Sequence, residues 1–242
     1  MLSFNGEVTT DAASSILTCM INLIIFDWDD VFTLGSKEGY FTCLHETLVS
    51  LGVHLDPEEE HRRILATWSK PHRTELEGLL LEDPDLLDSA CDIYEEKFFG
   101  DTFVDALSYA AGANELLIRL AERYKLAVAT GAHPKVLRER VMPKFNVPNV
   151  FEQIVSGYDI DDPGKQKPHP HMLEEIMAKQ ETQPNETVMV GDAGPDVQMA
   201  PSAGVEPIVV LSGHLSKDEA EALGVKYIID DITHLENVLA DL

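Results

Sequence analysis

Three carboxylates, Asp27, Asp29 and Asp30, follow the apolar run INLIIF (residues 21–26) almost without interruption. Carboxylates a few ångströms apart raise one another's pKa and resist joint ionisation, so clustering them costs free energy. A metal ion, a phosphate site or a catalytic pair would offset that cost, and so would plain exposure to water. Other residues with chemistry to offer stand at comparable boundaries further along: Thr130 at the end of KLAVAT, Lys167 in GKQKPHPHM, and Asp192 with Asp196 in GDAGPD.

The elements that must position these groups are legible as short apolar runs with helical patterns between them. The runs are INLIIF (21–26), KLAVAT (125–130), EQIVSG (152–157), TVMVGD (187–192), PIVVLSG (207–213) and KYIID (226–230). Apolar without alternation, they suit strands buried on both faces. Alternating with helices, they predict an α/β fold, a Rossmann-like parallel sheet with flanking helices. The stripe Ala113, Leu116, Leu117, Leu120 predicts a helix over 113–124. Ser216 and Glu219 form a capping box, and Gly224 marks that helix's end. Between about 37 and 105 the alternation breaks: Phe41, Leu44, Leu48 and Leu51 repeat at helical spacing, and further helices are expected over 57–68 and 85–98. Residues 21–36 and 106–242 are therefore assigned to a catalytic core and 37–105 to an inserted α-helical cap, joined by linkers near 34–38 and 100–110. Residues 1–20 are expected to be a disordered extension. Ligands of an open parallel sheet bind at the carboxyl ends of its strands, so the candidate residues converge on one rim.

In this order, FDWDDV, AVATG, KQKPHP and VGDAGPD resemble the four motifs of the haloacid dehalogenase superfamily: a strand ending in DxDx(T/V), a strand ending in Thr or Ser, a Lys before a helix, and a strand ending in GDxxxD. The likeness runs from residue 21 to the C-terminus, and the position of the insertion fits the branch that includes phosphoglycolate phosphatase and β-phosphoglucomutase. The resemblance implies a magnesium-dependent phosphatase of a small phosphorylated metabolite. Asp27 is then the nucleophile that forms an aspartyl-phosphate, and Asp29 the general acid and base. Thr130 and Lys167 grip the phosphoryl oxygens. Asp27, the backbone carbonyl of Asp29, Asp192 and Asp196 hold Mg2+. Asp29 also argues for phosphate esters over haloacids, since the dehalogenases lack Asp there. A phosphomutase of the β-phosphoglucomutase type shares all four motifs and is the enzymatic alternative. A phospho-acceptor signalling module also combines paired acids, a hydroxyl and a Lys, but keeps them within about 120 residues. The family commonly has Gly where this chain has Asp30. Asp tolerates a left-handed backbone better than most residues, so Asp30 is expected to serve a turn or a hydrogen bond.

The chain has 43 acidic and 18 basic residues among 242, a formal charge of −25. Nucleic acid and anionic membranes are poor partners for such a field. No run approaches the ~20 apolar residues of a membrane span. Three scattered cysteines, Cys19, Cys43 and Cys91, suggest neither disulfides nor a zinc site, which fits the cytoplasm. The other acidic pairs, Asp83 with Asp85, Asp159 with Asp161 and Asp101 with Asp105, follow no buried strand and are expected to be solvated charges. In the cap, Arg73 of SKPHR resembles the substrate-contacting Arg of related phosphatases, with a solvated helix end as the plainer reading. Trp28 is expected to pack behind its strand or shape the entrance, Trp68 to lie in the core, and His133 to sit in a surface loop.

Overall fold

A computed structural model describes residues 20–67 and 70–242; Cys19, Trp68 and the extension before Met20 lie outside the described residues. In chain order the elements are β1 (Leu23–Phe26), β2 (Thr33–Leu34), α1 (Ser36–Ser50), α2 (Pro57–Thr67), α3 (His72–Leu79), α4 (Leu87–Phe99), α5 (Asp101–Ala106) and β3 (Ser108–Tyr109). There follow α6 (Ala113–Ala121), β4 (Lys125–Thr130), the short turns α7 (Pro134–Val136) and α8 (Met142–Lys144), β5 (Phe151–Ser156) and α9 (His171–Gln180). The chain closes with β6 (Thr187–Gly191), α10 (Gly194–Ser202), β7 (Glu206–Val210), α11 (Lys217–Ala222), β8 (Tyr227–Ile229) and α12 (Leu235–Leu239).

Six parallel strands form one sheet in the order β5-β4-β1-β6-β7-β8, with β1 near its centre. Side chains alternate between its faces, and both faces are covered. Ile24, Phe26, Leu126, Val128, Val188 and Val190 join a cluster with α6 and α12, while Leu23, Ile25, Ala127, Ala129 and Met189 pack with α9 and α10. This is why every position of β1 is apolar: neither side offers water to a polar group. The register pairs Phe26 with Val128 and with Val190. One step further along β1, Asp27 still donates its N–H to Val190 O (2.8 Å), so the first carboxylate emerges level with the ends of both neighbouring strands.

Helices α1 to α5 form the insertion expected after the first strand, with α1 packed on α4 and α5, and α3 bridging α2 and α4. The stretches expected as linkers, near 34–38 and 100–110, carry secondary structure of their own. Helix α1 already begins at Ser36, and α5 occupies much of the return. The two chain passages pair as antiparallel strands, Thr33 with Tyr109 and Leu34 with Ser108. Two-residue strands leave no periodicity to read, which explains why they are invisible in the sequence. The apolar cluster runs unbroken from the sheet into the insertion, through Phe32, Leu44, Leu76, Phe98 and Phe103. Trp28 packs behind the strand end, fully buried, 5.2 Å from Phe32 and 6.1 Å from Phe151 between ring centroids.

Candidate active site

The rim above the carboxyl ends of β1, β4 and β6 brings together Asp27, Thr130, Lys167, Asp192 and Asp196. Lys167, from the loop before α9, lies 3.0 Å from Asp27 Oδ1 and donates to Asp196 Oδ1 at 2.6 Å. Against the penalty of burial, the charges of Asp196 and Asp27 push the Lys167 ammonium above its usual range, so it stays charged. Asp27 Oδ1 also accepts the Trp28 N–H at 2.7 Å, so both of these contacts fall on one of its two oxygens. Asp196 sits in the first turn of α10, where Oδ2 accepts the Ala193 N–H at 3.2 Å. The capping contact and the contact with Lys167 are made by different oxygens.

Asp192 is fixed by a segment whose apolar run predicts a strand. The run PIVVLSG leaves the sheet at Val210, and Leu211 to Leu215 fold back over Asp192. His214 N–H donates to Asp192 Oδ2 at 2.9 Å, and Leu215 N–H donates to Asp192 O at the same distance. A Cβ on Gly213 would stand 2.0 Å from Asp192 Oδ2, so only glycine lets the loop approach this closely. A glycine three residues past the strand end is the one sequence signal of this cradle.

Burial, followed by the charges of Asp27 and Asp30, lifts the Asp29 carboxyl to about 7. Thr33 donates to its Oδ1 at 3.1 Å and Lys167 lies near, both of which oppose the rise. Asp192 is likewise raised, by burial and by Asp27, and Asp196 is raised by burial against the pull of Lys167. Crowded carboxylates of this kind call for a cation. Oxygens of Asp27, Asp192 and Asp196 all come within 4.8 Å of one another, and Asp30, Asp192 and His214 form a second such group. The first set is wholly hard oxygen, the donor type magnesium takes, so the residues fit that ion. Among the described residues the Asp29 side chain belongs to neither group.

Thr130 is fully buried, and its Oγ1 accepts the Ala132 N–H at 3.0 Å, which holds the loop after β4 in a tight turn. Asp30 takes φ 57°, the left-handed backbone that a Gly would adopt freely. It is also buried, and its carboxylate accepts from Gly35 N–H (3.2 Å) and Ser36 Oγ (2.8 Å), which makes it the turn and hydrogen-bonding residue expected. Arg73 is not brought to this group. It lies in the first turn of α3, half-exposed, and donates to Asp88 of the insertion at 2.9 Å. His133 departs from the expected surface-loop residue: it is half-buried, with its ring 4.8 Å from Phe99 of α4 and 4.7 Å from Tyr158, and burial pushes its pKa down. It thus joins the loop after β4 to the insertion. Of the other acidic pairs, Asp83, Asp85 and Asp161 are exposed as expected, whereas Asp159, although exposed, follows β5 and accepts the Ser156 N–H at 3.0 Å, a capping contact rather than plain solvation. Asp101 and Asp105, although exposed, pair with Arg140 and Lys144, an arrangement that plain solvation did not anticipate.

Comparison with known proteins places this geometry in context. The family model described as haloacid dehalogenase-like hydrolase matches residues 24–210. A phosphorylated carbohydrates phosphatase of Thermotoga maritima is 28% identical over 190 residues, covering 76% of this chain and 82% of that protein. A phosphoglycolate phosphatase of Rhodospirillum rubrum is 30% identical over 125 residues, 51% of this chain and 50% of its own. The crystal structure of CbbY from Rhodobacter sphaeroides in complex with phosphate superposes with a TM-score of 0.68 at 23% identity, covering 92% of this chain and all of that one.

Proposed function

The chain belongs to the haloacid dehalogenase-like hydrolases, and on that premise we propose that it is a magnesium-dependent phosphatase of a small phosphorylated metabolite, working through an aspartyl-phosphate on Asp27. The observation that carries this reading is the pairing of Asp27 with the Lys167 ammonium at 3.0 Å, beside a half-buried carboxyl, Asp29, raised to about 7. A nucleophile, an anion grip and a proton donor thus meet at one strand end.

Hydrolysis of a phosphate monoester needs on the order of 20 kcal/mol of barrier reduction, more than one group supplies. Asp27 attacks phosphorus as the bond to the leaving oxygen breaks, and Asp29 gives that oxygen its proton. Water then attacks the aspartyl-phosphate, Asp29 takes back a proton, and inorganic phosphate leaves with Asp27 restored. Lys167 and the turn held by Thr130 stabilise the phosphoryl oxygens as charge spreads over them. Mg2+ would be held by Asp27, Asp192, Asp196 and the Asp29 carbonyl, and supplies positive charge that offsets the repulsion between substrate and carboxylates. On this reading the helical insertion closes over the rim and limits the leaving group to small molecules.

Phosphorylated carbohydrates suit the insertion better than substrates carrying a second anion. Arg73, the residue expected to hold a carboxylate, is engaged by Asp88 instead. The relatives divide along the same line, one named for phosphorylated carbohydrates and another for phosphoglycolate. A panel of phosphorylated metabolites, scored for free phosphate and for isomerised sugar phosphate, tests the proposal. Repeated Mg2+-dependent phosphate release, abolished in Asp27→Asn, is the expected result. Isomerised sugar phosphate would make the enzyme a mutase, and a single phosphate retained per chain would make it a phospho-acceptor.

A further inference from the structure

Asp30 stands between three segments that the proposed reaction needs in fixed relation. Its carboxylate receives the Gly35 N–H and the Ser36 hydroxyl, which begin α1 and hence the insertion. Its backbone carbonyl accepts the Ser212 hydroxyl at 2.7 Å. Ser212 belongs to the loop whose His214 N–H holds Asp192 Oδ2, and the His214 ring returns to within 3.7 Å of Asp30 Oδ2. The nucleophile loop, the start of the insertion and the cradle of Asp192 therefore meet at one buried residue, the first two through its carboxylate and the third through its backbone carbonyl and the nearby His214 ring. A glycine could adopt the same backbone angle but offers no carboxylate to join them.

We propose that Asp30 is a positioning residue: through Ser212 and His214 it fixes the carboxylate of Asp192 against Asp27, and through Gly35 and Ser36 it ties that geometry to the root of the insertion. The inference rests on the phosphatase reading, because it gives Asp192 a cation to hold. Partners one step removed from a metal orient its ligands, and their loss typically costs about 10–100-fold in affinity. Asp30 acts on the set in this way without being needed as a ligand itself. The carboxylate arm and the carbonyl arm can be severed separately, since Asp30→Gly removes the first and Ser212→Ala the second.

The test is Mg2+ titration of the full chain by calorimetry, with kcat and KM for an aryl phosphate measured on the same samples. Asp30→Gly should fold with an unchanged circular dichroism spectrum, since glycine accepts φ 57°. Its Mg2+ dissociation constant should rise about tenfold or more, with kcat falling at subsaturating Mg2+ and KM little changed. Asp30→Asn separates bracing from charge. Asparagine tolerates the same backbone and can bond Gly35, Ser36 and His214, so it should restore Mg2+ affinity to within about twofold of wild type. If Asn is as weak as Gly, Asp30 acts through its charge and the brace is overturned. Gly with wild-type affinity overturns it equally. Asp30→Gly combined with Ser212→Ala should depart from the product of the single effects, because both arms hold one loop; strict multiplicativity contradicts the coupling. A wild-type chain that binds no Mg2+ would instead sink the phosphatase reading, and the brace with it.

Discussion

Asp27 and Asp29 are separated by a single residue, yet their surroundings divide their work. Asp27 faces the Lys167 ammonium at 3.0 Å, whereas Asp29 accepts from the Thr33 hydroxyl at 3.1 Å and has two carboxylates for neighbours. Burial and repulsion raise it to about 7, where a carboxylic acid can give up a proton and recover it. Asp29→Asn should therefore lower kcat by about 10²–10⁴ on an alkyl phosphate. The loss should be smaller on a nitrophenyl phosphate, whose leaving group departs without a proton. Equal losses on both substrates would remove Asp29 from the leaving-group step. The residue types of this cluster, Asp30's turn included, are plain in the sequence, but not the contacts of Asp30 with Ser212 and His214, over 180 positions away along the chain. No local pattern carries a contact of that range.

At the scale of elements, what could be read followed from burial. Strands covered on both faces must be apolar throughout, so KLAVAT and TVMVG stand out in an acidic chain. The segment over 207–213 was harder, because Leu211 remains apolar after the strand has ended and the fold-back is set by Gly213. Helix α3 was likewise hidden, being eight residues long and dominated by charged and polar side chains. The Asp192 cradle yields a sharp expectation. Gly213→Ala puts a Cβ within 2.0 Å of Asp192 Oδ2, so the loop or the carboxylate must move. Mg2+ affinity should fall about tenfold or more, with a loss of roughly 1–3 kcal/mol in stability, the usual cost of overpacking. Gly194→Ala, whose Cβ would meet nothing nearer than Gln198 Nε2 at 3.9 Å, should bind Mg2+ normally and serves as the comparison. A calorimetric titration in which the two variants match would show that the cradle is not needed to hold Asp192.

For the whole molecule, the carboxylate cluster sets stability against function. Asp29, Asp192 and Asp196 are all raised in the folded chain, whereas in the unfolded chain they titrate near 3.8. Between those values the folded state holds more protons than the unfolded one, so stability falls as pH rises. The contribution is complete below pH 3.8 and, for Asp29, is lost as the pH passes about 7. His133, held low by burial, works in the opposite direction, as do the ion-paired or hydrogen-bonded Glu59, Glu82, Glu219, Asp231 and Glu236, whose effect is already complete above their ordinary carboxylate range. Protein stripped of metal with a chelator should therefore melt at a lower temperature at pH 8 than at pH 5.5. Saturating Mg2+ reverses this, since an ion at a hundred times its dissociation constant adds about 2.7 kcal/mol. In a chain of this size that corresponds to a rise of roughly 5–10 °C. The rise should be smaller at pH 5.5, where protons compete for the same oxygens. Asp192→Asn removes one of the repelling charges; it should raise the melting temperature of the metal-free protein at pH 8 while abolishing the response to Mg2+. Melting curves at the two pH values, with and without the ion, decide the matter. A metal-free protein more stable at pH 8, or an equal Mg2+ shift at both, would mean that the cluster is not the strained cation site its crowding implies.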